Sequence, residues 1–94
     1  MENEYRTTTD EYGTKYWHLK DKLHREDGPA IEFKDGTKFW LKNGKYHRED
    51  GSAIEYKDGT KSWWINGINY KDEHEWLIVL RTVKLKIVLD SQKG

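Results

Sequence analysis

The sequence predicts a mainly β fold: an elongated, single-layer antiparallel meander of hairpin repeats, closed by a C-terminal capping helix. Three observations predict it. A pattern recurs every 23 residues, Asp-Gly and Asn-Gly pairs punctuate short alternating segments, and helical spacing replaces the pattern after Tyr70.

The 94 residues suffice for one domain, taken as 1–94. Seventeen Lys and Arg balance seventeen Asp and Glu, which removes both the bulk attraction of a nucleic-acid binder and the whole-surface acidity of a DNA mimic. A mean hydropathy of −1.12 suits a disordered chain. Five Trp, six Tyr and two Phe oppose that reading by concentrating the apolar area in rings. With no cysteine, a disulfide framework and a thiolate metal site are excluded. No stretch approaches the ~20 apolar residues of a membrane span. A soluble, cytoplasmic protein is expected.

Residues 1–11 align with the end of a repeat, with Thr8 at the Ile position and Asp10 at the aromatic one, so a degenerate, frayed edge strand is expected there. Residues 12–71 hold the repeats. Gly13-Thr14-Lys15-Tyr16-Trp17 returns as Gly36-Thr37-Lys38-Phe39-Trp40 and Gly59-Thr60-Lys61-Ser62-Trp63. Leu23-His24-Arg25-Glu26-Asp27-Gly28 returns as Tyr46-His47-Arg48-Glu49-Asp50-Gly51, with Gly28 and Gly51 read as positive-φ positions.

Each unit reads as two hairpin strands and a loop, giving about five to seven strands in all. A two-residue type I′ loop at Asp35-Gly36 sets Phe33 against Lys38 and Ile31 against Trp40, and the one at Asn43-Gly44 sets Trp40 against His47. This register gathers Ile31, Phe33, Trp40 and His47 on one face, joined by Ile54, Tyr56 and Trp63 from the next unit and Trp17 and His24 from the first. Together with Trp76 and Leu80 they are the expected repeat core. The opposite face, with Glu32, Phe39, Leu41, Tyr46, Glu55 and Trp64, is mixed and needs cover.

Residues 72–94 read as helix and tail. Asp72 and Glu75 resemble a capping box, and Trp76, Val79, Leu80 and Val83 recur at helical spacing, with Trp76, Leu80 and Val83 expected to cover one sheet face. The helix is placed over about 73–84. Residues 84–89 alternate like a strand while Ile87 continues the helical stripe, so periodicity leaves them open.

Chemistry has few candidates. His24 and His47 each precede an Asp by three residues, yet stable metal sites want three or four ligands, and packing explains the histidines better. Lys15, Lys38 and Lys61 beside Trp17, Trp40 and Trp63 have the makings of a single-stranded nucleic-acid platform, with Glu32 and Glu55 diluting it from the other face. None of Ser52, Ser62 and Ser91 lies in a nucleophile elbow, and no phosphate loop or zinc-protease motif occurs. Neither an enzyme, a metal nor a cofactor is expected.

The unit Trp40-Leu41-Lys42-Asn43-Gly44-Lys45-Tyr46-His47, followed by Lys57-Asp58-Gly59, resembles the MORN repeat. The His-Arg-Glu-Asp-Gly-Pro-Ala form at 24–30 is similar to a MORN-like variant in small proteins of tailed bacteriophages and in antitoxin-type bacterial proteins. The resemblance spans roughly residues 12–76. It implies a sheet that binds macromolecules without doing chemistry, and the favoured function is a phage-encoded, non-enzymatic inhibitor that occludes a host toxin or immune effector in the host cytoplasm. Expected contacts are Arg25, Phe39, Tyr46, Arg48, Glu49 and Trp64, since aromatics and Arg dominate hot spots. The alternatives are a single-stranded nucleic-acid-binding sheet and a structural module that forms homodimers through a sheet edge or the helix. No membrane partner is expected.

Overall fold

A computed structural model describes residues 5–91, with side chains through residue 85; residues 1–4 of the expected edge strand and 92–94 of the expected tail lie outside the described residues. Ten strands and a helix follow in order: β1 (Tyr5–Thr9), β2 (Lys15–Leu19), β3 (Lys22–Leu23), β4 (Ile31–Glu32), β5 (Lys38–Phe39), β6 (Leu41–Lys42), β7 (Lys45–Tyr46), β8 (Ile54–Glu55), β9 (Lys61–Ile65), β10 (Ile68–Tyr70) and α1 (Glu73–Ser91). The fold is mainly β and every strand pair is antiparallel.

The ten strands exceed the five to seven expected because the long central runs serve two sets of neighbours. Lys15-Tyr16, Lys38-Phe39 and Lys61-Ser62 pair with β4 or β8, whereas His18-Leu19, Leu41-Lys42 and Trp64-Ile65 pair with the short arms β3, β7 and β10. The main sheet runs β1-β2-β4-β5-β8-β9-β10 with β3 on β2, and β6-β7 form a separate pair. The molecule is a slab of 50 × 41 × 16 Å, broad in two directions rather than elongated in one.

The Asn-Gly turns behave as their residues dictate. Asn43 and Gly44 both take positive φ, 53° and 79°, as do Asn66 and Gly67 at 50° and 83°. Trp40 therefore meets His47, whose N–H donates to the Trp40 carbonyl.

The Asp-Gly loops are longer than expected. Phe33 N–H donates to Thr37 O and Gly36 N–H to Phe33 O, enclosing three residues of which Gly36 alone has positive φ, 99°. Tyr56, Thr60 and Gly59 repeat this geometry. Such loops join a type I turn to one left-handed residue. The pairing moves by one residue, so Ile31 faces Phe39, not Trp40, and Glu32 faces Lys38. With a side-chain period of two, that slip exchanges faces.

Ile31 accordingly packs with Tyr16, Leu23, Phe33, Phe39, Leu41 and Tyr46 around the fully buried Ala30. Trp40 and His47, expected beside Ile31, lie on the opposite side. Ala30 N–H and Ala53 N–H add a second bond at Phe39 O and Ser62 O, so two residues oppose one, as in a β-bulge.

β1 lies at an edge of the main sheet, and its five residues all pair in register with β2. At the other end Asp72 caps α1, accepting the Glu75 N–H at 2.9 Å, while Glu75 reaches back to the Lys71 N–H at 3.2 Å. The helix includes residues 84–89 and ends beyond the expected 84. Trp76, Leu80 and Ile65 form a second core with Trp63, Tyr70, Leu77 and Val79 around them. Val83, expected to cover the sheet, is 42% exposed. No helix is long and apolar enough to cross a membrane among the described residues.

Candidate protein interface

The two sheet faces differ in how their groups are spent. On the charged face, Lys15, Glu32, Lys38, Glu55 and Lys61 are successive cross-strand partners, a ladder of alternating sign. Glu32 and Glu55 share the lysines' face, contrary to the expectation that they lie behind it. The lysine column is thus neutralised where a nucleic-acid backbone would lie.

The His-Arg-Glu-Asp-Gly loops close onto this face in the same way twice. The Arg25 guanidinium stacks 4.1 Å from the Trp17 ring centre, and Arg48 stacks 3.8 Å from Trp40. Arg25 donates to Asp27 at 2.9 Å, Pro29 O at 3.2 Å and Glu32 at 3.2 Å. Arg48 donates to Asp50 at 2.9 Å, Ser52 O at 3.0 Å and Glu55 at 3.0 Å. The Arg25 guanidinium beside Asp27 holds that carboxyl below its ordinary range.

Gly28 and Gly51 do not take positive φ. Crowding favours glycine at both: a Cβ there would lie 2.9 Å from Arg25 Cζ or Arg48 Cζ, so the guanidinium would have to shift.

Each of two histidines ties its loop to a turn 19 residues farther along the chain. Buried His24 accepts the Asn43 N–H on Nδ1 at 2.9 Å, and buried His47 accepts the Asn66 N–H at 3.0 Å. With Nδ1 an acceptor, Nε2 is the protonated nitrogen, and it donates to Glu26 or Glu49 rather than to the aspartates three residues on. Hydrogen bonds from His24 first and Lys42 second hold the Glu26 carboxyl below its usual range. No group of three or more His, Asp or Glu is placed to hold a metal among the described residues.

Where the 23-residue spacing would put a third His-Arg-Glu-Asp-Gly segment, the chain enters the helix. Lys71 stands where Arg25 and Arg48 recur, and the Trp76 indole takes the guanidinium's place, 5.0 Å from Trp63 and donating to Arg48 O at 3.2 Å. An open cleft of about 590 Å³ lies between the two loops, lined by Trp40, Lys42 and Lys84 with the carboxylates of Glu26, Glu49 and Asp50. Its mixed charge selects no ligand.

The opposite face is aromatic. Phe33 and Phe39 meet edge-on at 4.9 Å, Phe39 meets Tyr46 at 5.7 Å and Tyr56 at 6.3 Å, and Tyr46 meets Trp64 at 5.0 Å. The Trp64 indole donates to Ser62 Oγ at 2.7 Å. Burial in this cluster pushes the Tyr46 hydroxyl pKa up. Phe33, Phe39, Tyr46 and Trp64 are half-buried and Tyr56 is 44% exposed. The described helix packs on the other face, against Ile65 and Trp63.

The expected contact residues therefore divide. Phe39, Tyr46 and Trp64 come together in one chain of rings, whereas Arg25 and Arg48 donate within their own loops and to Glu32 and Glu55 of the neighbouring strands, and Glu49 accepts from His47 on the charged side. Of the expected core, Ile31, Ile54, His24, His47, Trp76 and Leu80 are buried, Trp17, Phe33, Trp40 and Trp63 are half-buried, and Tyr56 is exposed. The ring contacts of Phe33 and Tyr56 were missed as a binding feature; the alternative three-residue form of the Asp-Gly loop was the only sequence signal for them. Comparison with family models, curated proteins and solved structures returned no match for this chain.

Proposed function

We propose that this chain is a non-enzymatic binding protein, a stack of MORN-like units whose aromatic face occludes a site on another protein. The observation that carries the reading is the run of rings Phe33, Phe39, Tyr46, Tyr56 and Trp64, left part-exposed on one sheet face. Rings of this kind supply large contact area at low conformational cost and dominate binding hot spots. The charged face is poorly suited to the task because its Arg, His and Glu side chains bond one another. The stack of units is supported by bonds that recur 23 residues apart, such as Asn43 N–H to His24 and Asn66 N–H to His47.

Inhibition of a toxin or immune effector of a bacterial host extends this proposal, and its support is the resemblance of the His-Arg-Glu-Asp-Gly-Pro-Ala segment to phage and antitoxin-type repeats. The test is capture from bacterial host lysate with the wild-type chain and with Tyr56→Asp plus Trp64→Ala, each first shown to be folded by circular dichroism. A protein retained by the wild type alone, and binding the purified chain with defined stoichiometry, is the expected result. Equal retention by both baits overturns the aromatic face as the interface.

A further inference from the structure

β1 and β10 stand at the two ends of the main sheet's strand order, and β1 is the longer and more regular of the two. β4 and β8 are two-residue strands flanked by the bulges at Ala30 and Ala53, and the far edge, β10, is three residues long with Tyr70 packed under the helix. β1 has five exposed residues, regular pairing throughout, no proline and a single charge at Arg6. Strand edges are ordinarily blunted by bulges, prolines, charges or covering elements, because an unblunted edge templates another strand.

The direction of its backbone groups follows from its neighbour. Trp17 N–H donates to Ala30 O and Trp17 O accepts the His24 N–H, both on the side of β2 away from β1. Thr7 is the residue opposite Trp17, so its N–H and C=O point outward. Alternation gives Thr9 the same direction. We propose that β1 is a dimerisation edge whose occupant is β1 of a second copy of this chain.

A second copy fits this edge by symmetry and charge. Antiparallel pairing about a twofold axis at Thr7 sets Arg6 against Thr8 of the other copy, so the lone cation never meets its equivalent. Pairing with β10 of another copy is disfavoured by the helix packed there. The twofold stands perpendicular to the sheet, and the aromatic faces of both copies lie on the same side of one continuous sheet. The dimer presents two equivalent binding faces to one partner surface.

The test is mass by light scattering across a concentration series, with single-cysteine variants of this otherwise cysteine-free chain. Doubling of mass with concentration is expected. So is a monomeric Thr7→Pro that keeps the wild-type circular dichroism, since the lost N–H faces outward. On mild oxidation Thr7→Cys forms a covalent dimer far faster than Thr60→Cys, whose side chain sits in a remote exposed turn. One-chain mass throughout, or Thr7→Cys crosslinking no faster than Thr60→Cys, overturns the proposal. The crosslinking comparison decides the matter if Thr7→Pro does not fold.

Discussion

Substituting Gly51 by alanine sets two physical effects against each other. Gly51 lies outside the left-handed region, so by the backbone alone alanine is tolerated and stabilises by about 0.4–1 kcal/mol through the unfolded chain. The new Cβ, however, would lie 2.9 Å from Arg48 Cζ and 3.0 Å from Nη1. An arginine tip can usually swing aside at little cost. Here the swing breaks bonds to Ser52 O and Glu55, both at 3.0 Å, and lifts the guanidinium from Trp40 at 3.8 Å.

Hydrogen bonds to charged groups contribute about 1.5–3 kcal/mol each and the ring contact about 0.5–1 kcal/mol. The exposed Asp50 contact adds little. Since Arg48 and Glu55 retain some solvent, the combined loss is taken as roughly 2–3 kcal/mol, and the net effect of Gly51→Ala is a destabilisation of about 2 kcal/mol. In a domain of this size that lowers Tm by about 10 °C. Denaturant and thermal unfolding followed by tryptophan fluorescence measure it. In an Arg48→Ala background the same substitution should be neutral or mildly stabilising. An unchanged or higher Tm for Gly51→Ala alone, or an equal loss in both backgrounds, refutes the crowding argument.

Trp76→Ala removes a buried ring from Trp63 and a donor from Arg48 O, and should cost about 3–5 kcal/mol, read by urea unfolding together with loss of helical signal at 222 nm. Asn66 holds φ at 50°, so Asn66→Gly should be nearly neutral and Asn66→Val should cost about 1–2 kcal/mol, the difference appearing in the urea midpoint. The Thr37 and Thr60 N–H groups, bonded at 2.9 Å, hold the exposed Asp35 and Asp58 carboxyls below their ordinary value of 3.8, and the Thr14 N–H does the same for Asp10. A depressed folded pKa means stability present above the unfolded value and lost as pH falls through the folded one. Tm should therefore fall below about pH 4 in the wild type, and Asp10→Asn, Asp35→Asn, Asp58→Asn together should flatten that limb.

The aromatic face shows where local sequence stopped short. Asp-Gly fits a two-residue loop with both φ values positive and equally a three-residue loop with only Gly36 positive. The choice moves Phe39, Leu41 and Tyr46 from one face to the other, and burying Ile31 against them decides it. Gly28 and Gly51 have a different cause: Arg25 and Arg48 stand only three residues before them, but each guanidinium is held over its glycine by Trp17 and Glu32 or by Trp40 and Glu55, partners that the sheet brings in.

The 23-residue period is written in the sequence, and the sequence by itself also determined the Asn-Gly turns and the Asp72 cap, because those two depend on residues within a few positions of one another. The tertiary structure decided which face is aromatic, where Arg25 and Arg48 spend their charge, and that Trp76 substitutes for a third arginine. Those outcomes depend on pairs brought together by sheet packing, such as Arg48 with Trp40 and Trp76 with Trp63, and local propensity carries no information about them.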